Sequence, residues 1–187
     1  MQSRSKAALF WPVLGGVALV DAVTKAFAER ALGPQRIPHD VLGSAVRLTL
    51  VYNPGAAFGL HLGEQSRWIF TVLTLVALVI LARLYRSTAR GNTPRVLALA
   101  LVCAGALGNL IDRLRSPMGV VDFLDVGVGA LRWPTFNVAD MAVSVGAMLL
   151  AWVLWQEDRL AAAQRATSSS GMAPVSAATG VEQGDLV

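Results

Sequence analysis

The chain has 187 residues, of which 55% are hydrophobic and 15% charged, with a mean hydropathy of +0.55 and a formal net charge of +4. That hydropathy exceeds what a soluble core needs, so a membrane protein is predicted. One cysteine and two histidines argue against a disulfide scaffold, a Cys/His zinc site or a haem protein. The arginines flank apolar runs instead of forming a basic stripe, so nucleic acid is not a predicted partner.

Four apolar runs, at residues 7–20, 68–82, 96–111 and 141–156, predict an all-α membrane protein with four transmembrane helices. Each run is slightly shorter than the ~20 residues that cross a bilayer, and neighbouring polar residues extend it. The first run could also belong to a cleaved secretory signal, because Ala26-Phe27-Ala28 resembles a cleavage site. Asp21 and Lys25 interrupt the approach to that site and three further spans follow, so a retained helix is the preferred interpretation.

The two connections at about residues 28–66 and 114–135 each contain a strand-like segment followed by a turn signal. Residues 46–52 precede Asn53-Pro54-Gly55, and residues 120–126 precede Gly127 and Gly129. A small external β-sheet formed from the two connections is therefore expected. Residues 1–160 are assigned to the membrane domain, and residues 161–187, which are small and polar, to a disordered tail.

The basic residues predict the orientation of the helices in the membrane. The connection after the second run carries Arg83, Arg86, Arg90 and Arg95 without an acidic residue, and residues 1–6 carry two further basic residues. Both termini, including the tail, are therefore expected in the cytoplasm. The connections at 28–66 and 114–135 then lie outside.

Polar residues of three helices gather at the external end of the predicted bundle. Asp21 and Lys25 are spaced i, i+4 on the first helix, and Asn109, Asp112 and Arg113 close the third. Asn137 and Asp140 begin the fourth helix. A structural interpretation, ion pairs and helix caps, is preferred for Asp21 and Lys25. Asn137 and Asp140 could simply cap the fourth helix, but function is preferred for Asp140. A helix amino terminus needs only one capping side chain, this sequence supplies two, and the preceding connection contains two further carboxylates, Asp122 and Asp125.

The residue types narrow the chemistry to carboxylates. The G-x-S-x-G and H-E-x-x-H motifs are absent, His39 and His61 are isolated, and Cys103 lies in an apolar run. Two adjacent aspartates can share a proton, so that one activates water while the other donates to a carbonyl oxygen. Spacing alone pairs Asp140 with one of four aspartates: Asp21, Asp112, Asp122 or Asp125.

Five motifs then resemble those of the lipoprotein signal peptidase family, also called signal peptidase II. They are DAVTK at 21–25, NPGAAFG at 53–59, GNLIDR at 108–113, VVDF at 120–123 and FNVAD at 136–140. The resemblance covers about residues 8–156 and has the motifs in the expected order on four spans. It implies a multi-pass aspartyl endopeptidase of the bacterial inner membrane whose site faces the outer leaflet. The implied substrates are diacylglyceryl-modified prolipoproteins, cut just before the lipidated cysteine.

The resemblance also implies roles for individual residues. Asp122 and Asp140 are the expected catalytic pair, with Asp112 as the competitor for the first position. Asn53, Gly55, Asn109, Arg113 and Asn137 are expected to bind the substrate or orient the pair. Asp21, Lys25 and Asp112 are expected to support the structure. No metal or cofactor is expected, the partners are prolipoproteins and membrane lipid, and a monomer is compatible with this reading.

Two other functions are alternatives to an aspartyl peptidase. A proton-coupled transporter or helper subunit could use the carboxylates as a relay, although such a relay should place acids through the depth of the bundle. A serine intramembrane peptidase would need a serine paired with a histidine, and Ser144 has no histidine near it in sequence.

Overall fold

The computed structural model describes residues 5–55, 63 and 65–170, without the side chains of residues 168–170. In chain order the elements are α1 (Lys6–Ala31), β1 (His39–Leu42), β2 (Val46–Asn53), α2 (Ser66–Ser87), α3 (Thr93–Arg115), β3 (Val120–Val128), β4 (Leu131–Arg132) and α4 (Val138–Ser170). The predicted fold class is confirmed: four helices are long and apolar enough to cross a membrane, and a small sheet accompanies them.

The central helix is α3, which packs against both α1 and α2. Within its apolar stretch 56% of the residues are buried, against 11% in α1. A glycine also allows α3 to lie close to α4, because a Cβ atom on Gly105 would overlap the carbonyl oxygen of Ala139 in α4. The exposed apolar side chains of α1, α2 and α4 face outward, where lipid replaces water as the solvent.

Two basic side chains join the ends of neighbouring helices. Lys6, at the start of α1, donates to the carbonyl oxygens of Tyr85, Arg86 and Thr88 at the end of α2. Arg67, at the start of α2, donates to the carbonyl oxygens of Arg113 and Ser116 at the end of α3. The last carbonyls of a helix have no partner within it and carry partial negative charge, so these cations satisfy them.

The sheet is antiparallel, with strands in the order β1-β2-β3-β4. The two strand-like segments of the sequence correspond to β2 and β3, whereas β1 and β4 were not predicted. Asn53 pairs with Val120 and Val51 with Asp122, so the end of β2 lies beside the start of β3. Leu50 and other apolar residues of the sheet pack on the end of α1 through a buried cluster: Ala28, Leu32, Leu50, Val121 and Phe123.

The fourth helix continues to Ser170, beyond the boundary at residue 160 that the sequence analysis placed before a disordered tail. Residues 154–170 are rich in Ala, Leu, Gln, Glu and Arg, which favour helix, and this propensity outweighs their low apolar bulk. The rest of the expected tail, residues 171–187, lies outside the described residues, as do residues 56–59 of the second motif and His61.

Candidate active site

The candidate site lies where α3 ends and β3 and α4 begin. β2 brings Asn53 beside β3, because its last residue pairs with Val120. Antiparallel pairing of two segments far apart in the chain therefore joins residues that the sequence shows only as separate motifs. One cavity of about 370 Å³ is lined by five of the expected site residues, Asn53, Asn109, Arg113, Asp122 and Asp140, whereas Gly55 and Asn137 lie outside its lining.

Asp122 is a buried acidic group at this junction. It is 2% exposed, and its Oδ1 and Oδ2 accept hydrogen bonds from the side-chain amides of Asn137, at 2.7 Å, and Asn53, at 3.1 Å. Burial and the charge of Asp140 raise the pKa of Asp122 to about 7, although the two amides act in the opposite direction. The carboxyl group can therefore hold a proton near neutral pH.

Asp140 lies in the first turn of α4 and shares the cap of that helix with Asn137. Its backbone N–H donates to Asn137 Oδ1 at 2.9 Å, while its Oδ2 accepts from the backbone N–H of Asn137 at 3.2 Å. This reciprocal arrangement is a capping box. Both side chains therefore cap the helix, and Asp140 also lines the cavity. Asp140 Oδ1 remains available to accept from Asn109 Nδ2 at 2.8 Å.

Asn137 is fully buried and connects the two aspartates. Its side-chain Nδ2 lies within hydrogen-bond distance of Asp122 Oδ1 at 2.7 Å, Asn109 Oδ1 at 3.1 Å and the Val121 carbonyl oxygen at 3.2 Å. Its Oδ1 meanwhile caps Asp140, so one amide orients both carboxyl groups. Asn137 was expected in the site, but its contact with both Asp122 and Asp140 does not follow from the sequence.

Lys25 organises the polar residues on the other side of Asn109. Its ammonium group lies 2.7 Å from Asp21 Oδ2, 2.8 Å from Asp112 Oδ2 and 3.1 Å from Asn109 Oδ1. Because an ammonium group only donates, Asn109 must present its oxygen to Lys25, and its NH₂ group then points to Asp140. Asp21 Oδ1 also accepts from the backbone N–H of Ala139 at 2.8 Å, which links α1 to the start of α4.

Of the four aspartates that the sequence offered as partners for Asp140, Asp122 lines the same cavity. Asp21 and Asp112 are bound to Lys25 and line a second cavity of about 290 Å³ beside α1 and α3. Asp125 accepts from Thr49 at 3.2 Å and from Arg132 Nε at 2.8 Å. Within the described part of the chain, the geometry therefore joins Asp140 with Asp122.

Arg113 and Gly55 meet at the edge of the cavity. The guanidinium group of Arg113 donates to the carbonyl oxygen of Asn109 at 3.3 Å and to that of Gly55 at 3.5 Å. Its Nε is buried and has no hydrogen-bond partner among the described residues. The N–H of Gly55 donates to Asn53 Oδ1 at 2.9 Å, which directs the NH₂ group of Asn53 to Asp122.

The remaining wall of the cavity is largely apolar and was not predicted. It comes from the segment between β4 and α4 and from the first two turns of α4: Trp133, Pro134, Thr135, Phe136, Met141, Val143, Ser144 and Val145, together with Val120. Ser144 follows Asp140 by four residues, a spacing that places both on one face of the helix and could have indicated its position. His39, the histidine within the described residues, is exposed on β1 and does not line the cavity.

Comparisons with known proteins agree with this architecture. A family model described as "Signal peptidase (SPase) II" matches residues 13–156. The chain is 50% identical over 114 residues to the lipoprotein signal peptidase of Moorella thermoacetica, covering 61% of this chain and 71% of the relative. It is 45% identical over 133 residues to that of Burkholderia mallei strain SAVP1, covering 69% and 74%.

The fold also matches a solved structure described as a bacterial membrane enzyme determined by the in meso method at 2.3 Å resolution. The TM-score is 0.76 at 28% identity, and the match covers 84% of this chain and 94% of the other. The match to the family model extends over most of the chain, from α1 to α4, and includes all the elements that form the site. The chain therefore belongs to the signal peptidase II family and is a multi-pass membrane peptidase.

Proposed function

We propose that the protein is an aspartyl endopeptidase that removes signal peptides from diacylglyceryl-modified prolipoproteins and cuts just before the lipidated cysteine. The observation that carries the proposal is that Asp122 and Asp140 line one cavity and are joined through Asn137. The curated relatives are named lipoprotein signal peptidases, which supports this class of substrate.

In this mechanism the raised pKa of Asp122 makes it the proton donor. Asp140, ionised, takes a proton from water as the water oxygen attacks the peptide carbonyl carbon, and Asp122 gives its proton to the carbonyl oxygen. The resulting gem-diol then collapses. The C–N bond breaks, Asp140 returns its proton to the leaving nitrogen, and a diol hydroxyl returns a proton to Asp122.

The neighbouring side chains support this chemistry in distinct ways. Asn53, Asn109 and Asn137 orient the carboxyl groups through the hydrogen bonds described above. Arg113 has a buried Nε aimed at no described partner, and a substrate carbonyl would satisfy it. Gly55, through its carbonyl oxygen, holds Arg113 in place. Asp21, Lys25 and Asp112 act indirectly, by fixing Asn109 and the start of α4.

The substrate is a membrane-bound chain, and the cavity suits lateral entry. The signal peptide is an apolar helix, and each buried methylene of the diacylglyceryl group adds to membrane partitioning. Met141 and Val145 line the cavity and are 48% and 51% exposed, so the apolar surface of α4 leads into the site. Lipid-attached substrate can reach the aspartates without leaving the bilayer.

The site is proposed to face the outer leaflet of the bacterial inner membrane, with both termini in the cytoplasm. The sheet packs at the end of α1, whereas the opposite end of the bundle carries Arg86 in the last turn of α2 and Arg90 in the α2–α3 connection. Basic connections remain in the cytoplasm, so the sheet end belongs outside.

The experiment that tests the function is cleavage of a diacylglyceryl-modified prolipoprotein by the purified protein in detergent. Wild type is compared with Asp122→Asn, Asp140→Asn and Asp112→Asn, each checked for folding by thermal unfolding. We expect wild type to cut before the lipidated cysteine, the first two variants to be folded and inactive, and Asp112→Asn to retain turnover.

Other outcomes separate the alternatives. An inactive Asp112→Asn beside an active Asp122→Asn would keep the family and overturn the catalytic pair. A folded wild type without hydrolysis would favour the transporter or helper function. An aspartyl enzyme should also be insensitive to serine reagents, thiol reagents and chelators.

A further inference from the structure

The wall that α4 contributes to the cavity changes from polar to apolar with distance from the start of the helix. Asp140, Met141, Ser144 and Val145 all line the cavity, and the last three are exposed. An α-helix rises about 1.5 Å per residue, so Ser144 lies about 6 Å further along α4 than Asp140, on the same face. Ser144 therefore places a hydroxyl group within the apolar part of the wall, one turn beyond the proposed catalytic aspartate.

The hydroxyl group of Ser144 differs from other hydroxyl groups on the membrane-spanning helices. Thr24 Oγ1 donates to the carbonyl oxygen of Val20 at 2.8 Å, and Thr74 Oγ1 donates to that of Phe70 at 2.7 Å. These bonds to the preceding turn satisfy polar groups that lipid cannot satisfy. Ser144 makes no hydrogen bond through its side chain among the described residues. Because an unpaired hydroxyl is unfavourable in apolar surroundings, an acceptor on the substrate would satisfy it.

Few groups of a lipidated signal peptide can accept a hydrogen bond at this depth. The apolar helix of the signal peptide uses most of its carbonyl oxygens within the helix, and hydrocarbon chains carry no acceptor. The ester carbonyl oxygens of the diacylglyceryl group have no partner within the substrate. They lie between the cysteine sulfur and the acyl chains, and a flexible chain of single bonds joins them to the peptide bond that is cut. With that peptide bond at Asp140, the esters can reach Ser144.

The surface of α4 beyond Ser144 suits the acyl chains. Val145 is 51% exposed, and Met148, one turn beyond Ser144 on the same face, is 65% exposed. From its first turn onward this face of α4 therefore presents a carboxyl group, a hydroxyl group and then apolar side chains. A lipidated substrate presents a peptide bond, an ester and then hydrocarbon, so the two sequences of polarity match.

We propose that Ser144 binds the diacylglyceryl group of the substrate by donating a hydrogen bond from Oγ to an ester carbonyl oxygen. This inference rests on the proposed function, because it takes a lipidated prolipoprotein as the substrate. In this arrangement Ser144 contacts no reacting atom, and its hydrogen bond is equally present before and during the reaction. Loss of the hydroxyl should therefore raise KM and leave kcat nearly unchanged.

The test compares two competitors of a fluorescent lipidated peptide substrate in dodecyl maltoside, a detergent without ester groups. One competitor is the same peptide without the fluorophore, with ester-linked acyl chains. The other has ether-linked alkyl chains of equal length and lacks the carbonyl oxygens. Competition gives the inhibition constant of each compound whether or not it is cut.

Wild type is compared with three variants: Ser144→Ala, Ser144→Thr, which keeps a hydroxyl group, and Thr74→Ala, which removes one from α2 outside the cavity. We expect Ser144→Ala to raise the inhibition constant of the ester compound about three- to tenfold and to leave that of the ether compound unchanged. Ser144→Thr should keep most of the affinity for the ester compound. Thr74→Ala should change neither constant.

Several results would overturn the proposal. An equal loss of affinity for both compounds would mean that Ser144 binds another part of the substrate, such as a carbonyl oxygen at the end of the signal-peptide helix. An unchanged affinity for the ester compound would mean that the hydroxyl binds surrounding lipid or water instead. A folded but inactive Ser144→Ala would place the hydroxyl at the reacting atoms. If wild type does not cut the fluorescent substrate, the proposed function itself fails, whereas the three preceding results leave that function intact.

Discussion

At the scale of single residues, the environment of Asp122 favours the protonated form of its carboxyl group. Desolvation and the neighbouring charge of Asp140 both favour the neutral acid, and the amides of Asn53 and Asn137 favour the anion. Desolvation and the charge of Asp140 outweigh the two hydrogen bonds, so the pKa of Asp122 rises to about 7. Two measurable consequences follow, one for catalysis and one for stability.

The catalytic consequence is a pH profile that depends on Asn53. If protonated Asp122 is the donor, kcat/KM of the wild type falls as the pH rises through about 7. The hydrogen bond from Asn53 lowers the pKa of Asp122, so Asn53→Ala should move this fall to higher pH. Asn92→Ala, which removes the cap at the other end of α3, is the control and should leave the profile in place. An unchanged profile or one moved to lower pH in Asn53→Ala would contradict the assignment.

The consequence for stability concerns Asp122→Asn. The ordinary pKa of an aspartate is 3.8 and that of folded Asp122 is about 7, so folding takes up a proton between these values. The contribution of Asp122 to the free energy of unfolding is therefore complete below pH 3.8 and is lost as the pH rises to about 7. Asp122→Asn carries no such charge and should be more stable than wild type at pH 8, by on the order of a few kcal/mol.

Thermal unfolding in detergent at pH 5 and pH 8 measures this difference. Asp40→Asn is the control, because the Asp40 side chain is 59% exposed and its ion pair with Arg47 should contribute little. The expected result is a gain in Tm at pH 8 for Asp122→Asn and none for Asp40→Asn. If the Tm of Asp122→Asn at pH 8 is lower than that of wild type, the buried carboxylate of Asp122 stabilises the folded protein, which would contradict this prediction.

At the scale of elements, the close approach of α3 to its neighbours depends on glycine at particular positions. A Cβ atom on Gly108 would lie 2.5 Å from Asp21 Oδ2, the carboxylate that binds both Lys25 and the start of α4. Gly16, on α1, has open space where a Cβ atom would be. The two positions therefore form a matched pair in which the same substitution has opposite effects.

Gly108→Ala should destabilise the protein by about 1–3 kcal/mol, because Asp21 must move and its contacts with Lys25 and Ala139 weaken. Gly16→Ala should be neutral or stabilising by about 0.5–1 kcal/mol, since alanine favours the helix. Thermal unfolding of both variants beside wild type is the measurement. Equal Tm values for the two variants would mean that the Asp21 contact contributes nothing to the stability of the bundle.

Elements also differ in how far the sequence predicts them. The four helices follow from apolar runs, and β2 and β3 from runs of β-branched residues bounded by turn signals. β1 and β4 have four and two residues, too few for a periodic pattern, and they exist because they pair with β2 and β3. α4 extends beyond the predicted boundary at residue 160, because helix propensity and not apolar content decides where it ends.

In the site, too, the sequence predicts contacts between residues close in the chain but not contacts between distant segments. Spacing along one helix predicts that Asp21 meets Lys25 and that Asn137 lies near Asp140. Spacing cannot choose Asp122 over Asp112 or Asp125, because that choice depends on the register of β2 against β3 and on Lys25 binding Asp112. The apolar wall around Trp133 was missed for the same reason, since it forms only when β4 returns along β3.

At the scale of the whole molecule, the position of the basic connection predicts which end of the bundle faces the cytoplasm. In a Cys103→Ala background, which contains no other cysteine, Gln35→Cys marks the sheet end and Arg90→Cys the α2–α3 connection, and both positions are exposed. A thiol reagent that does not cross membranes should label Gln35→Cys in intact spheroplasts and Arg90→Cys only after permeabilisation. The reverse pattern would place the aspartates on the cytoplasmic side and would overturn the proposed orientation of the site.

The hydrogen bond from the N–H of Ala139 to Asp21 joins two residues that are far apart in the chain and are therefore synthesised at different times. Asp21 and Lys25 lie one turn apart on α1 and form an ion pair within that helix. α1 can therefore enter the bilayer with these two charges paired. Asn109 and Asp112 can contact Lys25 only after α3 has been synthesised, and the N–H of Ala139 can contact Asp21 only after the start of α4 has been synthesised. In the proposed mechanism the catalytic pair is complete only when α4 supplies Asp140, so we expect a nascent chain halted before α4 to have no hydrolytic activity.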